Sequence, residues 1–146
     1  RIDKVMISLL YHTLKIYDKD DDLLESIPIL RMMSKPLIEI ESKANFLYNI
    51  LSQDINWSNV ADINVQKTKS QVGGGSLPNE YIDSYGVFIK PKNISVVNLE
   101  ENLRKGQHHI ISRIQNDMLI LDVRTLFEDD LKIVSDEIKQ ILLYEV

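Results

Sequence analysis

His109-Ile110-Ile111-Ser112-Arg113-Ile114-Gln115-Asn116-Asp117-Met118-Leu119-Ile120-Leu121-Asp122-Val123-Arg124 is the stretch on which the fold turns. Asn and Asp tolerate the left-handed backbone of a two-residue hairpin turn, so Asn116-Asp117 sets a register. Gln115 then faces Met118, Arg113 faces Ile120, Ile111 faces Asp122 and His109 faces Arg124. Side chains alternate along a strand. One face therefore carries Ile110, Ser112, Ile114, Leu119, Leu121 and Val123, and is expected to be buried. The other collects His109, Arg113, Asp122 and Arg124 among Ile111, Met118 and Ile120.

Upstream of this hairpin, Asn98 with Glu101 three residues later has the form of a capping box, opening a short helix that Gly106 closes. Tyr85–Lys90 reads as a strand ended by Pro91. Gly73-Gly74-Gly75-Ser76-Leu77-Pro78 is a loop by composition. Before it, Ala61, Ile63 and Val65 alternate with Asp62, Asn64 and Gln66, which predicts a half-exposed strand running towards Ser70. Leu37, Ile40, Ala44, Leu47 and Leu51 recur at three- and four-residue steps, predicting a helix from about Ser34, its expected N-cap, to Ser52. The first periodic stretch, Val5–Tyr17, predicts another helix, and a chain opening directly on a helix is read as a severed end. Downstream, Leu131, Val134, Ile138, Ile141 and Leu142 predict a final helix behind Asp129-Asp130.

This order points to an α+β fold: a small antiparallel sheet of about four strands with helices packed on one face, preceded by an N-terminal linker helix. Residues 1–33 are assigned to the linker helix and its connector, and 34–146 to the α+β domain.

The 146 residues suffice for one modest core. No apolar run approaches the roughly 20 residues of a membrane-spanning helix, and the opening Arg-Ile-Asp-Lys lacks the pattern of a secretory signal. A cytoplasmic location is expected. The absence of cysteine removes disulfides, thiolate metal sites and cysteine nucleophiles from this segment. A net charge of −5 argues against autonomous nucleic-acid binding. The charge is uneven, since residues 67–124 hold eight basic and six acidic residues, so an anionic ligand is drawn to the middle of the chain.

Three local features have chemical potential. The glycine triplet permits positive φ and close backbone approach, so its amides fit either an anion-lining loop or a plain connection. It is neither a phosphate-binding P-loop nor a dinucleotide fingerprint. His108-His109 point to opposite faces if on a strand, and no metal site is expected. Arg113, Asp122 and Arg124 on one face fit either recognition of a carboxylate or phosphate, or a solvated cross-strand ion pair.

Several stretches in order give the set a family likeness. Ile27-Pro28-Ile29-Leu30-Arg31-Met32-Met33-Ser34-Lys35-Pro36-Leu37, Val72-Gly73-Gly74-Gly75-Ser76-Leu77-Pro78, and Leu103-Arg104-Lys105-Gly106 through Ile111-Ser112-Arg113-Ile114 to Leu119-Ile120-Leu121-Asp122-Val123-Arg124-Thr125 resemble the tail of bacterial selenocysteine synthases, the L-seryl-tRNA(Sec) selenium transferases. Arg1-Ile2-Asp3-Lys4 is similar to the segment that follows that family's catalytic domain. His108-His109 replace a usual Pro-Pro, and Ser112 replaces a usual Gly.

The resemblance implies the C-terminal small domain of a fold-type-I pyridoxal-phosphate enzyme. That enzyme uses selenophosphate to convert seryl-tRNA(Sec) to selenocysteinyl-tRNA(Sec), with the cofactor as electron sink. The cofactor-bearing lysine is implied to lie in a large domain outside this chain, leaving no catalytic or cofactor-binding residue here and no activity for the fragment alone. The full-length chains are implied to form a homo-oligomer. Substrate-proximal positions carried over by the resemblance are Arg1, the Gly73, Gly74, Gly75 and Ser76 loop, and one of Arg113 and Arg124. A related pyridoxal-phosphate lyase acting on a small amino acid, and a stand-alone non-catalytic binding or assembly module, remain as alternative readings.

Overall fold

The computed structural model describes residues 2–19, 22–53, 56–73 and 80–144. The chain divides into two compact units, Arg1–Lys35 and Pro36–Val146. The first unit contains helices α1 (Lys4–Lys19), α2 (Leu23–Ser26) and α3 (Pro28–Ser34). Asp3 caps α1, its carboxylate accepting the amide of Met6 at 2.9 Å. Ile27 is extended between α2 and α3, as expected of a residue before proline. Pro28 occupies the first helical position, where its missing N–H is harmless.

The second unit is α+β. Among the described residues its sheet has four antiparallel strands in the order β1-β2-β4-β3: β1 (Ala61–Gln71), β2 (Tyr81–Pro91), β3 (Arg113–Gln115) and β4 (Met118–Asp122). Helices α4 (Leu37–Ser52), α5 (Val96–Lys105) and α6 (Asp130–Tyr144) cover one face. Their stripes supply Ile40, Leu47 and Leu51, then Leu99 and Leu103, then Leu131, Val134 and Ile138, all buried. Against them stand Tyr85, Val87 and Ile89 of β2 and Leu119 and Leu121 of β4. Trp57, on a 3-10 turn before β1, closes one end of this core, and its indole N–H donates to Leu51 O at 3.1 Å.

Two helix starts differ from the sequence reading. Helix α4 begins at Leu37 rather than near Ser34, with Pro36 at its N-cap and no side-chain cap. Pro36 holds Lys35 in an extended conformation, which ends α3 at Ser34 and delays the next helix by three residues. For α5 the cap is Ser95, not Asn98: Ser95 Oγ accepts the amide of Asn98 at 3.1 Å, as a cap does three residues into a helix. Strand β2 is also longer than Tyr85–Lys90, because its ladder with β1 continues to the Gln71–Tyr81 pair.

The hairpin holds at its tip and fails at its base. Asn116 and Asp117 both take positive, left-handed φ, and Arg113 pairs with Ile120 and Gln115 with Met118 as expected. The expected pairs Ile111–Asp122 and His109–Arg124 do not form, since β3 starts at Arg113 and β4 ends at Asp122. Two local forces divert the chain. Ile110 N–H bonds back to Leu103 O at 2.9 Å, with His109 also at positive φ, which ties residues 109–110 to the end of α5. On the other strand, the Asp122 carboxylate accepts the amide of Arg124 at 3.2 Å and caps a 3-10 turn, Val123–Thr125. Of the residues expected inside, Ile110, Leu119, Leu121 and Val123 are buried, Ser112 is half-buried, and Ile114 on the short edge strand is 41% exposed.

Gly86 marks a close approach between β2 and β4. A Cβ there would lie 2.9 Å from Leu121 O and 3.3 Å from a methyl carbon of Ile120. Because the closer obstacle is backbone, the strain of Gly86→Ala cannot be relieved by a rotamer change. Gly86→Ala is expected to cost about 1–3 kcal/mol, read as a lower urea midpoint with an unchanged slope. An unchanged midpoint would disprove the close approach.

Candidate functional site

The face of the sheet opposite the helices carries Asp62, Asn64, Gln66, Thr68 and Ser70 from β1, Ser84, Gly86 and Phe88 from β2, Ile120 and Asp122 from β4, and Arg113 from β3. Its centre is the Gly86–Asp122 pair. With no side chain at Gly86, the Asp122 carboxylate extends across β2. Ser70 Oγ donates to its Oδ2 at 2.5 Å, and Ser84 Oγ donates to its Oδ1 at 2.7 Å. With the Arg124 amide, three donors from three segments converge on one carboxylate. The backbone carbonyl of Asp122 accepts Thr125 Oγ1 as well, at 3.0 Å.

The two arginines expected on a common face have different environments. Arg124, on the 3-10 turn, is only 5% exposed, and its Nη2 donates to the carbonyl of Asp83 at 2.7 Å. Burial holds its guanidinium below the ordinary arginine pKa, against the opposing pull of Asp122 and Asp83. Arg124 therefore braces the start of β2. Arg113 lies on the exposed edge strand and donates from Nη2 to Thr68 Oγ1 at 2.5 Å, reaching over β4 and β2 to β1. Two hydroxyls and the backbone amide of Arg124 occupy the Asp122 carboxylate, and the buried Arg124 guanidinium feels the charge of Asp122 and of Asp83.

Hollows flank Arg113 on both sides. One, of about 270 Å³, is lined by Ser70, Ser112, Arg113, Ile120, Asp122 and Thr125 among others. The second, of about 530 Å³, includes Lys67, Thr68, Lys69, Tyr81, Phe88 and Arg113. That volume falls within the roughly 300–1,000 Å³ of small-molecule clefts. Lys67 and Lys69 lie over the rings of Tyr85 and Tyr81, each 6.0 Å from the centroid. The arrangement presents cations and hydroxyl donors, which suits an anionic group better than a neutral one.

Gly73 adopts a positive φ, a conformation that favours glycine. Arg1, Gly74, Gly75 and Ser76 lie outside the described residues. His108 and His109 have separate partners: His108 Nε2 is 3.8 Å from Glu137, and His109 Nδ1 is 3.2 Å from the carbonyl of Arg104. Among the described residues no group of three or more His, Cys, Asp or Glu is placed to hold a metal, and no helix is long and apolar enough to cross a membrane. Sequence reasoning passed over Thr68, Ser70, Ser84 and Gly86. A glycine inside a β pattern is a signal of close approach, and Thr68 and Ser70 share the parity of Asp62 and Asn64.

A four-stranded antiparallel sheet backed by helices, with an accessible arginine on its open face, makes the second unit a small α+β domain. Residues 1–127 match the family model described as L-seryl-tRNA selenium transferase, and the chain belongs to that family. It is 39% identical over 144 residues to the L-seryl-tRNA(Sec) selenium transferase of Clostridium botulinum (strain Hall), covering 97% of this chain and 30% of that protein. It is 35% identical over 141 residues to the enzyme of the same name from Clostridium perfringens (strain 13), with the same coverage. The chain thus spans about 30% of the length of the curated relatives it matches.

The stability roles of the two polar positions separate cleanly. Asp122→Ala removes one acceptor from two hydroxyls and an amide, and is expected to cost about 2–4 kcal/mol. Arg113→Ala removes an exposed bond and is expected to cost less than about 1 kcal/mol. Urea unfolding of both variants checks this, and equal losses would refute the assignment.

Proposed function

We propose that this chain is the C-terminal domain of a selenium transferase that converts seryl-tRNA(Sec) to selenocysteinyl-tRNA(Sec) with selenophosphate, and that it acts only when joined to the rest of the enzyme. The observation carrying this reading is the alignment of 97% of the chain with L-seryl-tRNA(Sec) selenium transferases, of which it covers 30%. Residues 1–33 form the connector and 34–146 the domain proper. The full-length protein is a cytoplasmic homo-oligomer.

Pyridoxal phosphate belongs to the portion outside this chain, and so does the lysine that carries it. Neither Lys43 nor Lys139 fits that role. Lys43, buried on α4, gives its ammonium to the carbonyl of Leu126 and lies 3.6 Å from Glu128. Lys139 donates to the carbonyl of Ile50 at 2.6 Å. A cofactor-bearing lysine needs its amine directed into a pocket instead.

Within the domain, Arg113 is the residue that meets substrate. Its guanidinium is exposed, already oriented by Thr68, and flanked by the two hollows. A planar guanidinium with a fixed partner suits two-point binding of a phosphate or carboxylate, a geometry that lysine cannot reproduce. Arg124 serves the same site indirectly by holding the carbonyl of Asp83. Arg1 and the Gly73, Gly74, Gly75, Ser76 loop complete the substrate-proximal set.

Full-length enzyme loaded with pyridoxal phosphate is expected to form selenocysteinyl-tRNA(Sec) from seryl-tRNA(Sec) and selenophosphate. Arg113→Ala is expected to lower kcat/KM at least about tenfold, the equivalent of losing roughly 1.4 kcal/mol of transition-state stabilisation, without a matching loss of thermal stability. Arg113→Lys should recover only part of the activity. A folded, cofactor-loaded wild type that turns over a small amino acid but not the seryl-tRNA would reject the tRNA assignment.

A further inference from the structure

Helix α1 is built as if most of its surface were interior. At about 100° per residue, Val5, Ile16 and Leu9 lie on one flank, Met6, Tyr17 and Leu10 in the middle, and Leu14 and Ile7 on the other flank. Together they span an apolar arc of roughly 200°. Yet Val5 is 68% exposed and Leu9 and Leu10 are 60% exposed, whereas the stripes of α4 and α6 are fully buried. Within the arc, Thr13 donates its hydroxyl to the carbonyl of Leu9 at 3.0 Å and so enters a dry contact already satisfied, whereas the Tyr17 hydroxyl at the tip of its ring calls for a partner on the docked surface. Lys4, Ser8, His12, Lys15 and Asp18 share the remaining stripe. Tyr11 sits at the border, its ring covered by the Lys15 ammonium 4.6 Å from the centroid.

A surface helix of a globular protein commonly carries an apolar stripe only a little wider than about 100°. An arc twice that width requires neighbours on more than one side. In proteins most of a helix's stability comes from packing of its amphipathic face rather than from propensity, so the 16 residues of α1 call for a surface to pack against. We propose that the arc of α1 docks into the part of the same polypeptide that lies outside this chain, lodged between at least two of its elements, with the Lys4–Ser8–His12–Lys15 stripe facing solvent. The length of the relatives provides the occupant, since the matched segment covers only 30% of each and the greater part lies beyond it. The fit is by shape and hydrophobicity, because the arc carries no charge to select an acidic or basic partner. The inference rests on family membership and not on the choice of substrate.

The test uses full-length protein with its other reactive thiols replaced, and single cysteines at Leu10→Cys, Leu14→Cys and Ser8→Cys. Labelling by a soluble maleimide is expected to be at least about 100-fold slower at Leu10→Cys and Leu14→Cys than at Ser8→Cys, and independent of protein concentration. Hydrogen exchange of the unsubstituted protein, which avoids any folding defect of the variants, should show protected amides throughout α1. Equal labelling rates, or unprotected amides, would overturn the proposal. So would protection that disappears on dilution, which would assign the arc to a second copy. Protection that appears only with anionic lipid vesicles would assign it to a membrane surface, and would equally overturn it. None of these outcomes depends on whether seryl-tRNA(Sec) is turned over, so the two readings fail separately.

Discussion

The close approach of β2 to β4 at Gly86 is the constraint from which the rest of the domain follows. A strand normally keeps side chains between its neighbours on each face. Removing one at Gly86 opens a channel across the middle of the open face, and the Asp122 carboxylate fills it. That carboxylate gathers Ser70 from the end of β1, Ser84 from the start of β2, and the amide that begins the turn after β4. Charged acceptors make stronger hydrogen bonds than neutral ones, and a low local dielectric strengthens them further. A single carboxylate thereby adds a side-chain tie across β1, β2 and the turn after β4, beside the ladder that already pairs these strands.

The same arrangement separates the tasks of the two arginines. Once Asp122 caps the 3-10 turn, the chain leaves the sheet, and Arg124 is carried to a buried position beside Asp83. Arg113 remains on the edge strand. Its neighbour across the ladder is Ile120, which offers no hydrogen bond, so the guanidinium reaches on to Thr68 and remains accessible. Two residues of one type, eleven positions apart, thus become a brace and a contact. The division leaves the Arg113 guanidinium accessible to an anion and commits Arg124 to holding the start of β2.

Much of this was legible in the residues themselves. Asn116-Asp117 sets the hairpin register because few other residue pairs tolerate two consecutive left-handed positions. The spacing of Leu37 through Leu51 and of Leu131 through Leu142 identifies helices and the faces they bury. Ser95 and Asn98 both suit a helix N-cap by residue type, and only the hydrogen bond from the Asn98 amide to Ser95 Oγ chooses between them. The likeness to selenium transferases was legible from the order of short motifs, since their spacing reflects this same set of strands and turns.

What the sequence by itself determined is therefore the periodic part: which segments are helices or strands, which face each one buries, and the α+β class. Those features depend on neighbours within a few positions, where local propensity and hydrophobic pattern act. Tertiary structure decided where the hairpin stops, because the amide of Ile110 prefers a carbonyl on α5 and the Asp122 carboxylate prefers a turn to a ladder. It decided the partners of Asp122 and the burial of Arg124, because these join residues more than thirty positions apart. Contacts of that range are set by how sheet and helices pack as a whole, and no local pattern encodes them.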